Sequence, residues 1–191
     1  MAARYAELLT TVGIERGLIG PREADRVWSR HIFNSVAVAS LIEPATSVVD
    51  VGSGAGLPGI PLALARPDVE VVLLEPMARR AQFLEECVAE LELTNASVHR
   101  GRAQEGLPRL VDAVTARAVA PLAALAEMSF RLCRAGGPLF AIKGAKAAEE
   151  VAELARIGTF TAVVHALTDA AGEPATVVEV RRAPKQGRKA P

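Results

Sequence analysis

The sequence predicts an α/β fold, a mostly parallel seven-stranded sheet with helices on both faces, preceded by an N-terminal helical extension. Three observations predict it. From Ser47 onward, β-branched runs alternate with helical stretches, the pattern of repeated strand–helix units. The runs are apolar throughout rather than alternating, as strands buried on both faces are. The first of them, Val48–Val51, opens into glycines at 52, 54, 56 and 59 and then an apolar helical stretch at Ile60–Ala65. That is a strand, a tight turn and a helix starting at the turn.

In chain order, residues 3–19 read as a helix with Tyr5, Leu8, Leu9 and Val12 on one face. Gly20-Pro21 breaks it, and Pro21 suits the first position of a second helix, about 22–42. That helix carries Val27, Ile32, Val36, Val38 and Leu41, with Arg22, Arg26 and Arg30 at every fourth residue. The arginine stripe fits two readings: a solvated face partnered by Glu23 and Asp25, or a phosphate-facing surface. Strands are expected at 47–51, 70–75, 97–100, 112–116 and 138–142, and helices at 59–66, 77–91, 121–134 and 145–157. Residues 161–167 and 176–181, joined by a short 169–173 turn, read as an antiparallel hairpin at one sheet edge. The organisation is therefore an extension at 1–43, an α/β domain at 44–182 and a basic tail at 183–191. The last eleven residues, RRAPKQGRKAP, hold five basic residues and no acidic one.

Composition narrows the function. Of 191 residues half are hydrophobic, enough for a full core. No apolar run reaches the ~20 residues of a membrane span, and MAARYAELLTTVG lacks the basic-then-apolar order of a signal peptide. Cys87 and Cys133 stand apart, and His31, His99 and His165 do not cluster, so no metal site is expected. Two isolated cysteines read as buried thiols of a cytoplasmic protein. With no coiled-coil pattern or large apolar surplus, a monomer is expected.

The glycine turn points to a small polar ligand, since glycine lets one approach the backbone with no Cβ in the way. Gly54-x-Gly56-x-x-Gly59 matches the dinucleotide fingerprint in form. Yet Pro58 and Pro61 each delete an amide donor that a pyrophosphate needs, and Asp50 would repel it. A carboxylate at that point suits a cationic ligand. S-adenosyl-L-methionine carries a sulfonium and an ammonium and no phosphate, so it fits better.

Ligands of an open α/β sheet lie outside the carboxyl ends of its strands. The second strand ends in Glu75, 25 residues after Asp50, where one carboxylate can accept both hydroxyls of a ribose. The competing reading is a helix N-terminal acid before Met77. The third strand ends near Ala103 and Gln104, whose amide can read an adenine edge. The fourth and fifth end in Arg117 and Lys143, two cations at the rim of one cleft.

These same residues carry a resemblance. DVGSGAGLPGIPLA, LLEP with RR and FL, GRAQE, VTARAVAPL and GGPLFAIKG, in order over roughly residues 27–145, resemble the RsmG (GidB) family of small-subunit rRNA methyltransferases. WSRHIFNSV and the tail APKQGRKAP resemble it as well. The resemblance implies a Rossmann-like class I S-adenosylmethionine-dependent methyltransferase that acts on N7 of a guanine in the 530 loop of 16S rRNA, guanine 527 in standard rRNA numbering. It implies that Gly52, Gly54 and Leu57 line the methionine and ribose end of the cofactor, that Asp50 and Glu75 belong to the same site, and that Ala103 and Gln104 flank the adenine. Arg117 would be the cleft arginine that the family uses at the cofactor site; apart from the resemblance, Arg117 and Lys143 are expected to orient the guanine or its phosphate. Arg22, Arg26, Arg30 and His31, with Lys185, Arg188 and Lys189 of the tail, would contact RNA on the 30S subunit or an assembly intermediate. The chain differs from the family pattern at Gln104, where Glu is frequent, and at Asn34, where Asp is usual, and it lacks the WN..NLT-type segment.

Guanine N7 has a free lone pair, so its methylation needs no general base, and none is evident. The neutral formal charge sits against an rRNA substrate unless the basic stripe and tail supply a local surface. Two other functions stay open on sequence alone, a small-molecule methyltransferase and a non-catalytic cofactor-binding assembly factor.

Overall fold

A computed structural model describes residues 1–184. Seven strands form one sheet in the order β3-β2-β1-β4-β5-β7-β6. They are β1 (Ser47–Val51), β2 (Glu70–Leu74), β3 (Ala96–His99), β4 (Ala113–Arg117), β5 (Leu139–Lys143), β6 (Phe160–Thr168) and β7 (Pro174–Arg182). The first five are parallel, and β7 runs antiparallel between β5 and β6. The chain leaves β1 toward β2 and later returns to β4 on the other side, so the switch point lies between β1 and β4. The helices are α1 (Ala2–Leu8), α2 (Asn34–Val36), α3 (Gly59–Ala65), α4 (Ala78–Glu90), α5 (Leu122–Ser129) and α6 (Ala147–Ile157).

Successive residues of a strand face opposite sides, and the two cores follow that period. Val48 packs with Leu73, Ile60, Phe83 and Leu84 on the α3–α4 side. Val49 and Val51 pack with Val114, Ala116, Leu122 and Leu125 on the α5 side. The N-terminal extension shares the first core: Tyr5, Leu9, Val27, Ile32 and Val38 are buried within it. Arg66 ties the extension down, donating from Nη1 to the carbonyls of Ala39 (2.9 Å) and Ile42 (2.8 Å) while Nε and Nη2 hold Asp68.

Three expectations change. The second helix, expected as one α-helix over 22–42, is a 3-10 turn at Pro21–Arg26, a wide π-type turn at Val27–Phe33, the short α2 and a 3-10 turn at Ala37–Leu41. The guanidinium of Arg117 donates into the carbonyls of Arg30 and His31, the kind of insertion that opens a helical turn. The first helix likewise widens at Leu9–Gly13. Finally, α5 stops at Ser129 rather than 134, because the chain turns to exchange hydrogen bonds with Val111: Val111 N–H donates to Leu132, and Arg134 N–H to Val111. The hairpin forms as expected, its turn held by Asp169 Oδ1 accepting the amides of Ala171 and Glu173.

Candidate functional site

The backbone amides of the glycine turn show what it can hold. Gly52 and Ser53 donate to the Leu74 carbonyl, Gly54 to Glu75 Oε2, Gly56 and Leu57 to Ser53, Gly59 to Asp50 Oδ2 and Ile60 to Gly56. Pro58 has no N–H. From Gly52 to Ile60, Ala55 alone keeps an amide without an internal acceptor among the described residues. A phosphate site needs a cluster of free amides, and this turn has spent them on itself. Space is open over Gly54, where an added Cβ would find only the Gly52 carbonyl at 3.8 Å. With φ of 68° and 58° at Gly52 and Gly54, the turn favours glycine there for conformation as well.

Glu75 is the hinge of this half. It is 2% exposed, its Oε2 accepts the Gly54 amide at 2.9 Å and its Oε1 the Met77 amide at 3.0 Å. A carboxylate has about four lone-pair sites, so two remain for hydroxyl donors. Glu75 thus holds the glycine turn and the residue before α4 and keeps acceptor capacity. Ala103 is buried and Gln104 exposed on a 3-10 turn, Ala103–Glu105, just beyond β3. Leu57 is half-buried against the α3 core.

Asp50 departs from expectation. Its side chain lies behind the turn, fully buried, with Oδ2 accepting the Gly59 amide at 3.0 Å and Oδ1 unpartnered. Burial pushes its carboxyl up to about 7 against that hydrogen bond. The expected direct contact with a ligand cation is thus replaced by a supporting one: Asp50 fixes the start of α3.

The second half is a cleft of about 1000 Å³ outside the ends of β4 and β5, walled by the extension on one side and the β6–β7 hairpin on the other. Arg26, Arg30, Asn34, Arg117, Lys143 and Glu173 line it. Arg22 is exposed but does not line it. The β4–α5 connection joins the halves. Arg117 and Ala118 line the cleft, while Val119 lies over Gly52, its Cγ2 2.9 Å from where a Cβ would stand. Ala118 sits there at φ 54°, a strained value for a residue with a side chain.

Both strand-end cations are anchored. Lys143 Nζ donates to the Ala120 carbonyl (3.1 Å) and Glu150 Oε2 (2.8 Å). Arg117 Nη1 donates to the His31 carbonyl (3.2 Å) and Ser35 Oγ (3.1 Å), and Nη2 to the Arg30 carbonyl (3.0 Å) and His31 Nδ1 (3.0 Å). His31, expected to contact RNA, is instead committed inward, with Nε2 2.9 Å from Glu23 Oε2. The expected stripe is also re-sorted, since Arg30 approaches Glu23 at 3.6 Å. Lys185, Arg188 and Lys189 lie outside the described residues. Ser35, Val119 and Glu150 escaped the sequence reading because only the fold brings them to Arg117, Gly52 and Lys143, and Glu23, read as a partner of the arginine stripe, was not foreseen as the partner of His31. Among the described residues no group of three or more His, Cys, Asp or Glu side chains could hold a metal ion, and no helix is long and apolar enough to cross a membrane.

Comparison with known proteins decides the family. The family model described as "GidB: rRNA small subunit methyltransferase G" matches residues 1–177. This chain belongs to the GidB family. A ribosomal RNA small subunit methyltransferase G of Mycobacterium sp. (strain JLS) is 51% identical over 201 residues, covering 100% of this chain and 89% of that protein. The same-named protein of Mycobacterium avium (strain 104) is 54% identical over 191 residues, covering 95% and 78%. Among solved structures, the fold is similar to a SAM-dependent methyltransferase from Aquifex aeolicus (TM-score 0.61, 17% identity, 88% of this chain and 96% of that one). It is also similar to the O-methyltransferase NcsB1, solved with S-adenosylmethionine (TM-score 0.64, 19% identity, 78% and 53%). This GidB-family chain is thus an rRNA methyltransferase by family and Rossmann-like by fold. The glycine-turn half has the features S-adenosylmethionine would need, with spent amides at the turn, open space over Gly54 and acceptor capacity on Glu75.

Proposed function

We propose that the GidB-family chain methylates N7 of a guanine in the 530 loop of 16S rRNA, guanine 527, on the 30S subunit or its assembly intermediate. The observation carrying this reading is the chemistry beside Arg117 and Lys143 at the ends of β4 and β5: the titratable groups in contact with these two cations are already committed. His31 is held between Glu23 and Arg117, and Glu150 is paired with Lys143. A hydroxyl or amine acceptor needs a base to take its proton, whereas N7 offers a lone pair and carries no proton.

Cofactor binding falls to Gly52, Gly54, Leu57 and Glu75 at the ribose and methionine end, and to Ala103 and Gln104 beside the adenine. When bound, S-adenosylmethionine supplies an electrophilic methyl group on its sulfonium. Lys143, fixed by two hydrogen bonds, is a point charge suited to a guanine oxygen or a phosphate. All four Nη hydrogens of Arg117 are taken, which leaves Nε–H and the flat guanidinium face, a surface on which an unstacked base can lie. Arg22, Arg26 and Arg30 are exposed beside the cleft and suit phosphates. In A-form RNA, N7 lies in a deep, narrow groove, so the target must come from a loop.

The test is 16S rRNA transcribed with 7-deazaguanosine, which lacks the N7 lone pair but keeps the Watson–Crick edge. Labelled methyl transfer to ordinary transcript or particle, and none to the 7-deaza form, is expected. Equal transfer to both would overturn N7 as the acceptor.

A further inference from the structure

The contacts around Arg117 form a chain that begins on the extension. A guanidinium only donates, so His31 Nδ1, 3.0 Å from Arg117 Nη2, must present its lone pair. The proton of the neutral ring then sits on Nε2 and is donated to Glu23 Oε2 at 2.9 Å. One tautomer satisfies both neighbours. Protonation of Nδ1 would set N–H against N–H and a cation against a cation. The Arg117 hydrogen bond would be lost at the point where it orients the guanidinium in the cleft.

We propose that His31, held in its Nε2–H tautomer by Glu23, is a positioning residue that fixes the Arg117 guanidinium in the acceptor cleft, so that the cleft is competent only while the imidazole is neutral. This rests on the reading that Arg117 serves the acceptor. The charged groups facing His31 are Arg117 from β4, Glu23 from the 3-10 turn before it and Arg30 beside it. Burial is the largest influence, the positive charges of Arg117 and Arg30 act with it, Glu23 opposes them, and the net effect holds the imidazole below its ordinary range. The side chain is only 12% exposed, so the ring is shielded rather than freely titrating. The linkage also explains why the extension contributes to a cleft built on strand ends. His31, 86 positions away in sequence, and Glu23 behind it set the orientation of a β4 side chain from the extension.

Two readouts test this. In the protein without cofactor, nitrogen-labelled histidine examined by NMR should show His31 as the Nε2–H tautomer, titrating below the ordinary histidine range. An Nδ1–H tautomer overturns the proposal. In methyl transfer to 30S particles, the wild-type kcat should fall on the acid side with that same titration. His31→Asn places an amide oxygen near the Nδ1 position and cannot titrate there. It should keep part of the activity and lose the acid limb. His31→Leu, matched for bulk, should lower kcat about 10- to 100-fold while S-adenosylmethionine affinity by calorimetry stays within about two-fold. His165→Asn, whose ring pairs with Glu179 away from the cleft, controls for general histidine loss. An unchanged acid limb in His31→Asn, or equal losses of kcat and cofactor affinity in His31→Leu, would refute positioning. A wild-type protein that methylates no RNA would instead refute the function reading, and the tautomer measurement would then decide the contact by itself.

Discussion

At Asp50, a carboxylate that looked poised for a ligand turned out to hold the backbone. Sequence places it at the end of β1, and the period of the strand, which no glycine motif reveals, turns its side chain into the α3 core. Its carboxyl is raised to about 7 in the folded protein from an ordinary value of 3.8. The folded state therefore binds the proton more tightly than the unfolded chain. The resulting stability is full below the unfolded value and is lost as pH rises between the two. Asp50→Asn should flatten the dependence of thermal stability between about pH 4 and 7, whereas the wild type loses on the order of 1 kcal/mol per pH unit there. Glu75 differs, because at its strand end it holds two backbone amides and keeps acceptor capacity. Glu75→Gln keeps the shape but sets an amide NH2 against either the Gly54 or the Met77 N–H. S-adenosylmethionine affinity measured by calorimetry should fall about 10- to 100-fold. Arg117 and Lys143 were legible as cations, yet their partners were not. Ser35 is 82 positions from Arg117, and the hydrogen bonds that aim the guanidinium depend wholly on the fold.

The strands matched expectation to within one or two residues, since a parallel sheet buried on both faces writes itself as uninterrupted apolar runs. Helices were less faithful where tertiary contacts compete for the backbone. Apolar spacing marked Val27, Ile32 and Val38 as buried, but it carries no trace of the Arg117 insertion that widens the turn. The extension was set apart in sequence, yet in space it shares the core and reaches the glycine turn, where Tyr5 Oη donates to the Ala55 carbonyl at 2.8 Å. Arg66 locks the junction by donating to two carbonyls of the extension, at Ala39 and Ile42. Arg66→Ala should cost about 1–3 kcal/mol in urea unfolding and speed proteolysis near residues 43–46. Equal stability and equal cleavage would mean that core packing alone docks the extension. Gly59→Ala would put a Cβ 2.3 Å from Leu73 Cδ2 and 2.8 Å from Asp50 Oδ2, so it should yield little folded protein.

For the molecule as a whole, the neutral formal charge has to be reconciled with an rRNA substrate. Charge is distributed rather than absent. Exposed Arg22, Arg26 and Arg30 lie on the extension that walls one side of the cleft, and the tail adds Lys185, Arg188 and Lys189 in sequence. Removing residues 185–191 takes away three positive charges, which should reduce the slope of log affinity against log salt for 30S binding by about 2. An unchanged slope would assign the tail no contact with the 30S particle. The glycine turn and the cleft meet along the β4–α5 connection, so the proposed function predicts one outcome above others. The most direct test is transfer of a labelled methyl group from S-adenosylmethionine to 30S particles, naked 16S rRNA and 50S particles from cells lacking this enzyme, with the label mapped by cleavage at 7-methylguanine. Label at a single 530-loop guanine, in 30S particles or 16S rRNA and not in 50S particles, is the expected result. Label at another position, or none on any RNA while the cofactor still binds, would contradict it.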